Sequence, residues 1–359
     1  MKTIDKYILG RFLQILGFAL VAFILVVLIV DIVENVDKFI DYKAPLGLVV
    51  YYYILYTPFI IILVLPVAVL LATMFTIGAL ARFQELTVMK ASGLSLYRLA
   101  IPLLLAGFVI SIAAIFFADI IMVPAEAKRD WLKRSQIEHR TDSDGIMLAN
   151  VIKPGRDGWV VFARTYNENS RTAQDVLIQK IQNNQIAIAV TARQMAWSDS
   201  GWILDRATRR VFEGEKEIQF SRRDTLWAEF LSQTPETMSH KLKKPRDTRF
   251  FELLDLINLK RLMGQDTARD RVELYLKISH PFINFILIII GIPLAANPKR
   301  SGGSIGLGLS VIISFIYFVI LRAGQSFGYT HELPPVLAAT IGNIIFMLIG
   351  LVMFFKARK

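Results

Sequence analysis

The sequence predicts a polytopic α-helical membrane protein, with three transmembrane helices before and three after one inserted all-β, jelly-roll-like domain. Three observations predict it. Hydrophobic residues make up 54% of the 359 residues, more than soluble domains usually carry. They are gathered into uncharged runs: Gln14–Val30, Ala44–Ala81, Leu99–Ala118, Ile278–Pro298, Ser301–Leu321 and Leu333–Phe355. Between the third and fourth runs the pattern changes to short alternating segments separated by turn residues.

A helix needs about 20 apolar residues to cross about 30 Å of hydrocarbon, and each run meets that length. Only helices and closed barrels satisfy the backbone in lipid. The runs are continuous rather than alternating, which selects helices. The predicted spans are residues 12–32, 52–80, 99–123, 274–296, 305–324 and 335–355. The first reads as an anchor rather than a cleavable signal, because Asp31, Glu34 and Asp37 follow it instead of a small-residue cleavage site. Pro58 and Pro66 predict a kink or a late start in the second. The domains read as 1–123, 124–270 and 271–359.

Loop charges set the orientation. Lys2, Lys6 and Arg11, then Arg82, Lys90 and Arg98, then Lys299 and Arg300, then Lys356, Arg358 and Lys359 mark one side as basic. The alternate short loops are poor in Lys and Arg: Asp31–Lys43 carries four acids against Lys38 and Lys43, and Gly324–Pro335 has no basic residue. The positive-inside bias then puts both termini in the cytoplasm of a bacterial inner membrane and the insert outside, in the periplasm. A formal charge of +11 would suit nucleic-acid binding in a soluble chain. Here it reads as topogenic charge or an anionic lipid partner, with no nucleic acid. Cysteine is absent, so neither disulfides nor thiolate metal sites are available.

In the insert, Trp159–Ala163, Asp175–Ile178 and Gln185–Val190 read as strands. Turn signals punctuate them at Lys153-Pro154-Gly155, Arg156-Asp157-Gly158, Asn183-Asn184 and 197–202. Together they predict a small antiparallel sandwich or jelly roll. Residues 236–249 read as a polar linker. Phe250, Leu253, Leu254 and Ile257 follow a helical period that Gly264 ends.

Catalytic chemistry is missing. There is no G-x-x-x-x-G-K-[ST] phosphate cradle and no H-E-x-x-H, and His139, His240, His280 and His331 are not spaced as a metal pair. Gly302-Gly303-Ser304 and Gly306-Leu307-Gly308 read as packing or turn glycines. The chain is not expected to be an enzyme or to hold a cofactor or metal.

The most informative loop is Ala81-Arg82-Phe83-Gln84-Glu85-Leu86-Thr87-Val88-Met89-Lys90-Ala91-Ser92-Gly93. Residues 82–93 predict a short helix stopped by Gly93, with Arg82, Leu86 and Met89 on one face beside Glu85. Such a helix could dock in a groove on another protein or lie on the lipid surface.

This loop resembles the E-L-x-V-M-x-A-S-G motif of the LptF/LptG family, the permease subunits of the bacterial lipopolysaccharide export ABC transporter. Asp5-Lys6-Tyr7, Gly291-Ile292-Pro293-Leu294 and Leu333-Pro334-Pro335 match as well, and the resemblance spans the whole chain, β-domain included. The proline pair looks more like LptG, and Pro298-Lys299-Arg300 somewhat like LptF.

The resemblance implies a paralogous permease (LptF if this chain is LptG) and a separate cytoplasmic ATPase dimer that holds ATP and Mg. It also implies an LptC-like anchored bridge, an LptA-like soluble bridge, and lipopolysaccharide as the substrate. Residues 82–93 match the family's coupling helix, and Glu85 its coupling glutamate. Lipid phosphates would need cations near the outer interface: Lys38, Lys43, Lys128, Arg129, Lys133 and Arg134. The last four cover about two helical turns, so they do not share one face. Asp31 stands where the family has a cation in the first helix, which leaves Lys38 as the best match. Asp31 and Arg322 are candidate cavity charges, and Arg322 could pair with Asp31 or Asp119. Three other readings carry weight: an ABC mechanotransmitter that moves the periplasmic domain without carrying lipid, a membrane-anchored periplasmic scaffold, and, more distantly, an intramembrane enzyme.

Overall fold

The computed structural model describes residues 3–137, 147–182, 185–198, 201–214, 216–239, 245–262, 265–296 and 303–356. Two compact units emerge. One comprises residues 1–133, 245–254 and 267–359, and the other residues 134–244 and 255–266.

The first unit is helical. Among the described residues, six helical stretches are long and apolar enough to cross a membrane: Thr3–Asp41, Leu46–Arg82, Leu96–Ile137, Ala268–Ala295, Ile305–Tyr329 and Pro335–Lys356. Helix α1 (Thr3–Asp41) buries Ile8, Phe12, Leu16 and Ala19, a seam at four-, four- and three-residue spacing. The expected loop from Asp31 is helix as far as Asp41. No Gly or Pro interrupts it before Pro45, and Asn35 ties it by donating to the Asp31 carbonyl at 2.9 Å and accepting from Lys38 at 3.0 Å. At about 1.5 Å per residue, 39 residues extend well beyond the hydrocarbon.

Helix α2 (Leu46–Arg82) is continuous through both prolines and starts six residues ahead of residue 52. Pro45 at its N-cap, with φ −64°, presets the entry. Phe83 and Gln84 break the chain direction, with Gln84 at φ 59°, before the short helix α3 (Glu85–Ala91). Gly93 then takes φ 86°, where its lack of a Cβ matters.

The third span is α4 (Leu96–Phe117), a π-helical turn (Ala118–Met122) and α5 (Val123–Leu132) in one continuous rod. It carries the membrane unit to Lys133, past residue 123. After the insert, α8 (Ala268–Ser279) and α9 (Ile283–Ala295) are joined by a 3-10 turn containing Pro281. Helices α10 (Gly303–Tyr329) and α11 (Pro335–Lys356) complete the bundle. Of these helices α2 is the most enclosed, packed by α1, α9 and α10.

Close approach in this unit is made by small residues, as expected where lipid removes the hydrophobic drive between helices. A Cβ on Gly324 would lie 2.7 Å from the Ala338 carbonyl oxygen, and one on Gly328 2.5 Å from the Ala338 Cβ. Gly306 packs on the Phe75 ring, where a Cβ would meet it at 3.1 Å, whereas Gly308 faces open space. Gly302 lies outside the described residues.

The second unit is a six-stranded antiparallel sheet of β1 (Met147–Pro154), β2 (Trp159–Asn167), β3 (Thr172–Gln182), β4 (Gln185–Ser198), β5 (Gly201–Glu213) and β6 (Lys216–Trp227). The all-β insert is there, but strand order follows chain order throughout. That is a meander, without the crossover a jelly roll requires. Short hairpin connections produce it, since each strand pairs with the next before the chain travels far. Inward positions of the strands supply Val161, Tyr166, Ile178, Met195 and Leu204 to the core. Trp202 sits among them and donates from Nε1 to the Gln233 carbonyl at 2.7 Å. Trp159 stacks on Phe230 at 4.2 Å. The expected linker contributes a short helix α6 (Pro235–Ser239), and α7 (Phe250–Leu262) forms where the helical period predicted it. Asn183, Asn184 and Gly264 lie outside the described residues.

Helix contact at Gly324 is testable. Gly324→Leu is expected to destabilise the purified protein by at least about 1–3 kcal/mol through overpacking, while Gly308→Ala leaves it unchanged. Thermal unfolding in detergent followed by tryptophan fluorescence reads both.

Candidate functional site

Three groups of residues carry the functional reading. The first is α3 and its surroundings, at the end of the bundle where α1 begins and α11 ends. Tyr97, in the first turn of α4, contacts the last turn of α11, with ring centroids 5.1 Å from Phe354. Arg82 is not on the short helix: it closes α2, one turn before the break at Gln84. Leu86 is buried against its own chain and Met89 is partly buried beside it, so both anchor α3 to the bundle rather than present a docking face. The exposed apolar side chains are Phe83 and Val88, at 64% and 67% exposure. Sequence periodicity pointed to the inner face because inner and outer faces here are equally apolar.

Glu85 is half-buried at the start of α3, and its Oε2 accepts from the Tyr7 hydroxyl at 3.2 Å. Arg11 lies 4.0 Å from Oε1, at the limit of an ion pair. A second contact ties the same two regions: Arg98 Nη2 donates to Asp5 Oδ2 at 2.9 Å.

The second group surrounds Arg129. This side chain is largely buried and bonded to Glu126 at 3.1 Å, with Asp130 at 3.4 Å. Its guanidinium also lies 4.6 Å from the Tyr56 ring centroid and 5.8 Å from that of Tyr52. Its carboxylate and ring contacts hold this guanidinium within the bundle, while Nε is buried without a hydrogen-bond partner. Lys128 is exposed and lies over Tyr51 at 5.3 Å. Lys38 and Lys43 are exposed, Lys133 is half-buried and Arg134 exposed. Asp31 lies near enough to Tyr52, Tyr53 and Tyr56 to act electrostatically on all three phenols.

The third group lies in a cleft of about 160 Å³ lined by Phe59, Leu63, Met122, Phe318 and the cations Arg246, Lys277 and Arg322. Arg322 does not pair with Asp31 or Asp119. It donates to Gln325 Oε1 at 2.7 Å, and Gln325 donates to Glu273 at 2.7 Å. The Tyr329 hydroxyl also bonds Glu273. Asp119, on the π-helical turn, accepts from the Phe250 backbone N–H at 2.7 Å and so caps α7. Arg246 lies over the Phe59 ring at 5.1 Å, and Lys277 donates to the Arg246 carbonyl at 3.3 Å. Sequence reasoning missed Arg246 and Lys277. A lone lysine four residues into the fourth predicted span was the signal for one. Arg246 had none, because its segment reads as linker. Among the described residues no cluster of His, Asp and Glu could hold a metal ion.

The fold and these sites define a class: a six-span helical membrane protein with a β-domain inserted between its two halves. The chain matches the lipopolysaccharide export system permease LptF/LptG family over residues 6–356, and it belongs to that family. It is 23% identical to the LptF permease of Escherichia coli K12 over 329 residues, 88% of this chain and 84% of that protein. It is 22% identical to the LptG permease of the same strain over 341 residues, 89% and 90% of the two chains. With the Haemophilus influenzae LptG permease it shares 21% identity over 287 residues, 79% and 78% of the two chains. Identity to both members is nearly equal, so similarity does not separate them.

Engagement of Arg129 predicts a structural role. Arg129→Ala is expected to cost roughly 3–5 kcal/mol by leaving Glu126 buried without its partner. Lys133→Gln is expected to leave stability unchanged. Thermal unfolding of the two purified variants distinguishes them.

Proposed function

We propose that this chain is a permease subunit of an ATP-driven exporter that takes lipopolysaccharide from the inner membrane and hands it to a periplasmic bridge. It pairs with a paralogous permease, and a separate cytoplasmic ATPase dimer supplies the energy. The observation that carries this reading is the family match across both helical halves and the insert. Orientation follows from the loop charges, with both termini and α3 cytoplasmic and the sheet periplasmic.

Glu85 meets a basic residue of the ATPase in a charge-assisted hydrogen bond, and Phe83 and Val88 fill its groove. Arg82 lies beside this contact, while Leu86 and Met89 hold α3 in place. The outward face of α1, with Phe18, Val21, Leu25, Ile29 and Val33 exposed, meets acyl chains and the second permease. Exposed Lys38, Lys43, Lys128 and Arg134 and half-buried Lys133, together with Arg246, Lys277 and Arg322 of the cleft, are the cations open to lipid phosphates. Asp31 holds the tyrosine side of α2 rather than phosphate.

Strand addition is the docking mode an open sheet edge permits. β1 and β6 are the two edges, and β6, with twelve residues against eight, offers the longer ladder. The bridge protein adds there.

The test is purification from the native membrane in mild detergent, with mass spectrometry of protein and lipid together. An ATPase, a second permease and lipopolysaccharide are expected to accompany the chain, and Glu85→Lys is expected to lose the ATPase. Recovery of the chain alone with bulk phospholipid would sink the proposal. Combined Lys277→Gln and Arg322→Gln substitution is expected to lower lipopolysaccharide release at least about tenfold, since each lost charge-assisted bond is worth about 1.5–3 kcal/mol. A light-activated cross-linker at Phe220 of β6 is expected to capture the bridge protein, and one at Leu148 of β1 is not.

A further inference from the structure

We propose that Tyr7 and Arg11 are positioning residues for Glu85, and that through them the first span moves with the ATPase-driven unit. The inference rests on the coupling role proposed for Glu85. Its ground is a polar chain that runs in one direction. Arg11 Nη1 donates to the Tyr7 phenol oxygen at 3.1 Å, and the Tyr7 hydroxyl donates to Glu85 Oε2 at 3.2 Å. Arg11 is too far from Glu85, at 4.0 Å, to fix it directly. The phenol therefore carries the contact, and the cation behind it strengthens the phenol as a donor.

Tyr7 and Arg11 stand one turn apart on α1, so both face α3 together. The Arg98–Asp5 pair ties the first turn of α4, just after α3, to the same two turns of α1. Glu85 also lines an open cleft of about 560 Å³ with Lys6, Gly10, Gln14 and Phe83. Its carboxylate is thus held from one side while a partner's cation can reach it through the cleft.

Burial along α1 says what such a hold can do. Asp5, Ile8, Phe12, Leu16 and Ala19 are buried, and no residue of α1 beyond Ala19 is. The helix is buried most deeply at one end; beyond Ala19 its contacts are made by half-buried groups, Phe23 against the bundle core and Phe39 against the rings of Tyr52 and Tyr53 at 5.6 and 6.1 Å. A shift of α3 passed through Tyr7 acts on the deeply packed end, and a continuous helix carries it to the more lightly packed half.

The chain has no cysteine, so Val30→Cys gives it a single labelling site, on the exposed face of the second half of α1. The complete transporter carrying a spin label there is examined with and without ATP, together with ATPase retention and lipid released per ATP hydrolysed. Tyr7→Phe, which removes one hydroxyl, is expected to keep the ATPase bound yet lower lipid released per ATP about tenfold and shrink the label's response. Arg11→Gln is expected to do the same more weakly, with Arg11→Lys restoring it. Parent-like response and coupling in both variants would overturn the inference while leaving the Glu85 reading standing. Loss of the ATPase in Tyr7→Phe would overturn it too, by making Tyr7 a docking residue. Glu85→Lys that keeps both the ATPase and the response would end the coupling reading and this inference together.

Discussion

The enclosure of α2 is the constraint on which the membrane unit depends. Lipid is as apolar as leucine, so helices gain nothing from hiding apolar surface from each other, and association must come from close packing and interhelical hydrogen bonds. Helix α2 meets this with Ala68, Ala72, Gly78 and Ala81 among its buried residues. The neighbouring helices answer in kind. Gly291 of α9 sits where a Cβ would meet Leu70 and Thr73 of α2 at 3.0 Å, and Gly107 of α4 where one would strike Ile288 of α9 at 2.5 Å. Larger residues at these points would push the helices apart along their whole contact, because a packed interior transmits such shifts.

Charge is arranged around that centre by a second rule. Several ionisable groups in or beside the bundle are paired or hydrogen-bonded: Arg129 with Glu126, Arg98 with Asp5, Glu273 with Gln325 and Tyr329. An isolated charge in hydrocarbon is costly, so these pairs fix which helices can be neighbours. The cleft cations differ in degree. Arg246 rests on the Phe59 ring and Lys277 donates to a carbonyl, with Glu126 near the first and Asp119, Glu273 and Asp247 near enough to the second to act electrostatically.

Much of this was legible in the sequence. The six spans follow from uncharged runs, and helix α7 follows from Phe250, Leu253 and Ile257 at helical spacing. Strands β2, β3 and β4 follow from alternation, whereas β6 did not, because Arg222, Arg223 and Asp224 interrupt any apolar period on an exposed edge strand. Strand order was beyond reach, since alternation tells which residues face the core and not which strands pair. At the site, the motif located Glu85, but helical spacing could not tell that Leu86 is buried and Val88 exposed. Tyr7 and Glu85 are 78 residues apart, and nothing local to either announces the other. Arg129 reads like its neighbours Lys128 and Lys133 until the tyrosines of α2 are seen around it.

The three groups share one mechanical logic. Contacts made by polar side chains tie α3 and the start of α4 to the first turns of α1, while the tyrosine side of α2 meets Arg129 on α5. Helix α2 is common to both ends, rigid by its burial and joined directly to α3 through two residues. On the coupling role proposed for α3, motion entering there has two exits. One is α2, which is packed by α1, α9 and α10 and moves with them. The other is α1, whose second half is held more lightly, with Phe39 on the rings of Tyr52 and Tyr53. A lipid with several acyl chains needs a wall that yields and a wall that does not. On the exporter reading proposed above, α1, the less enclosed helix, is the wall that yields and α2 the wall that does not.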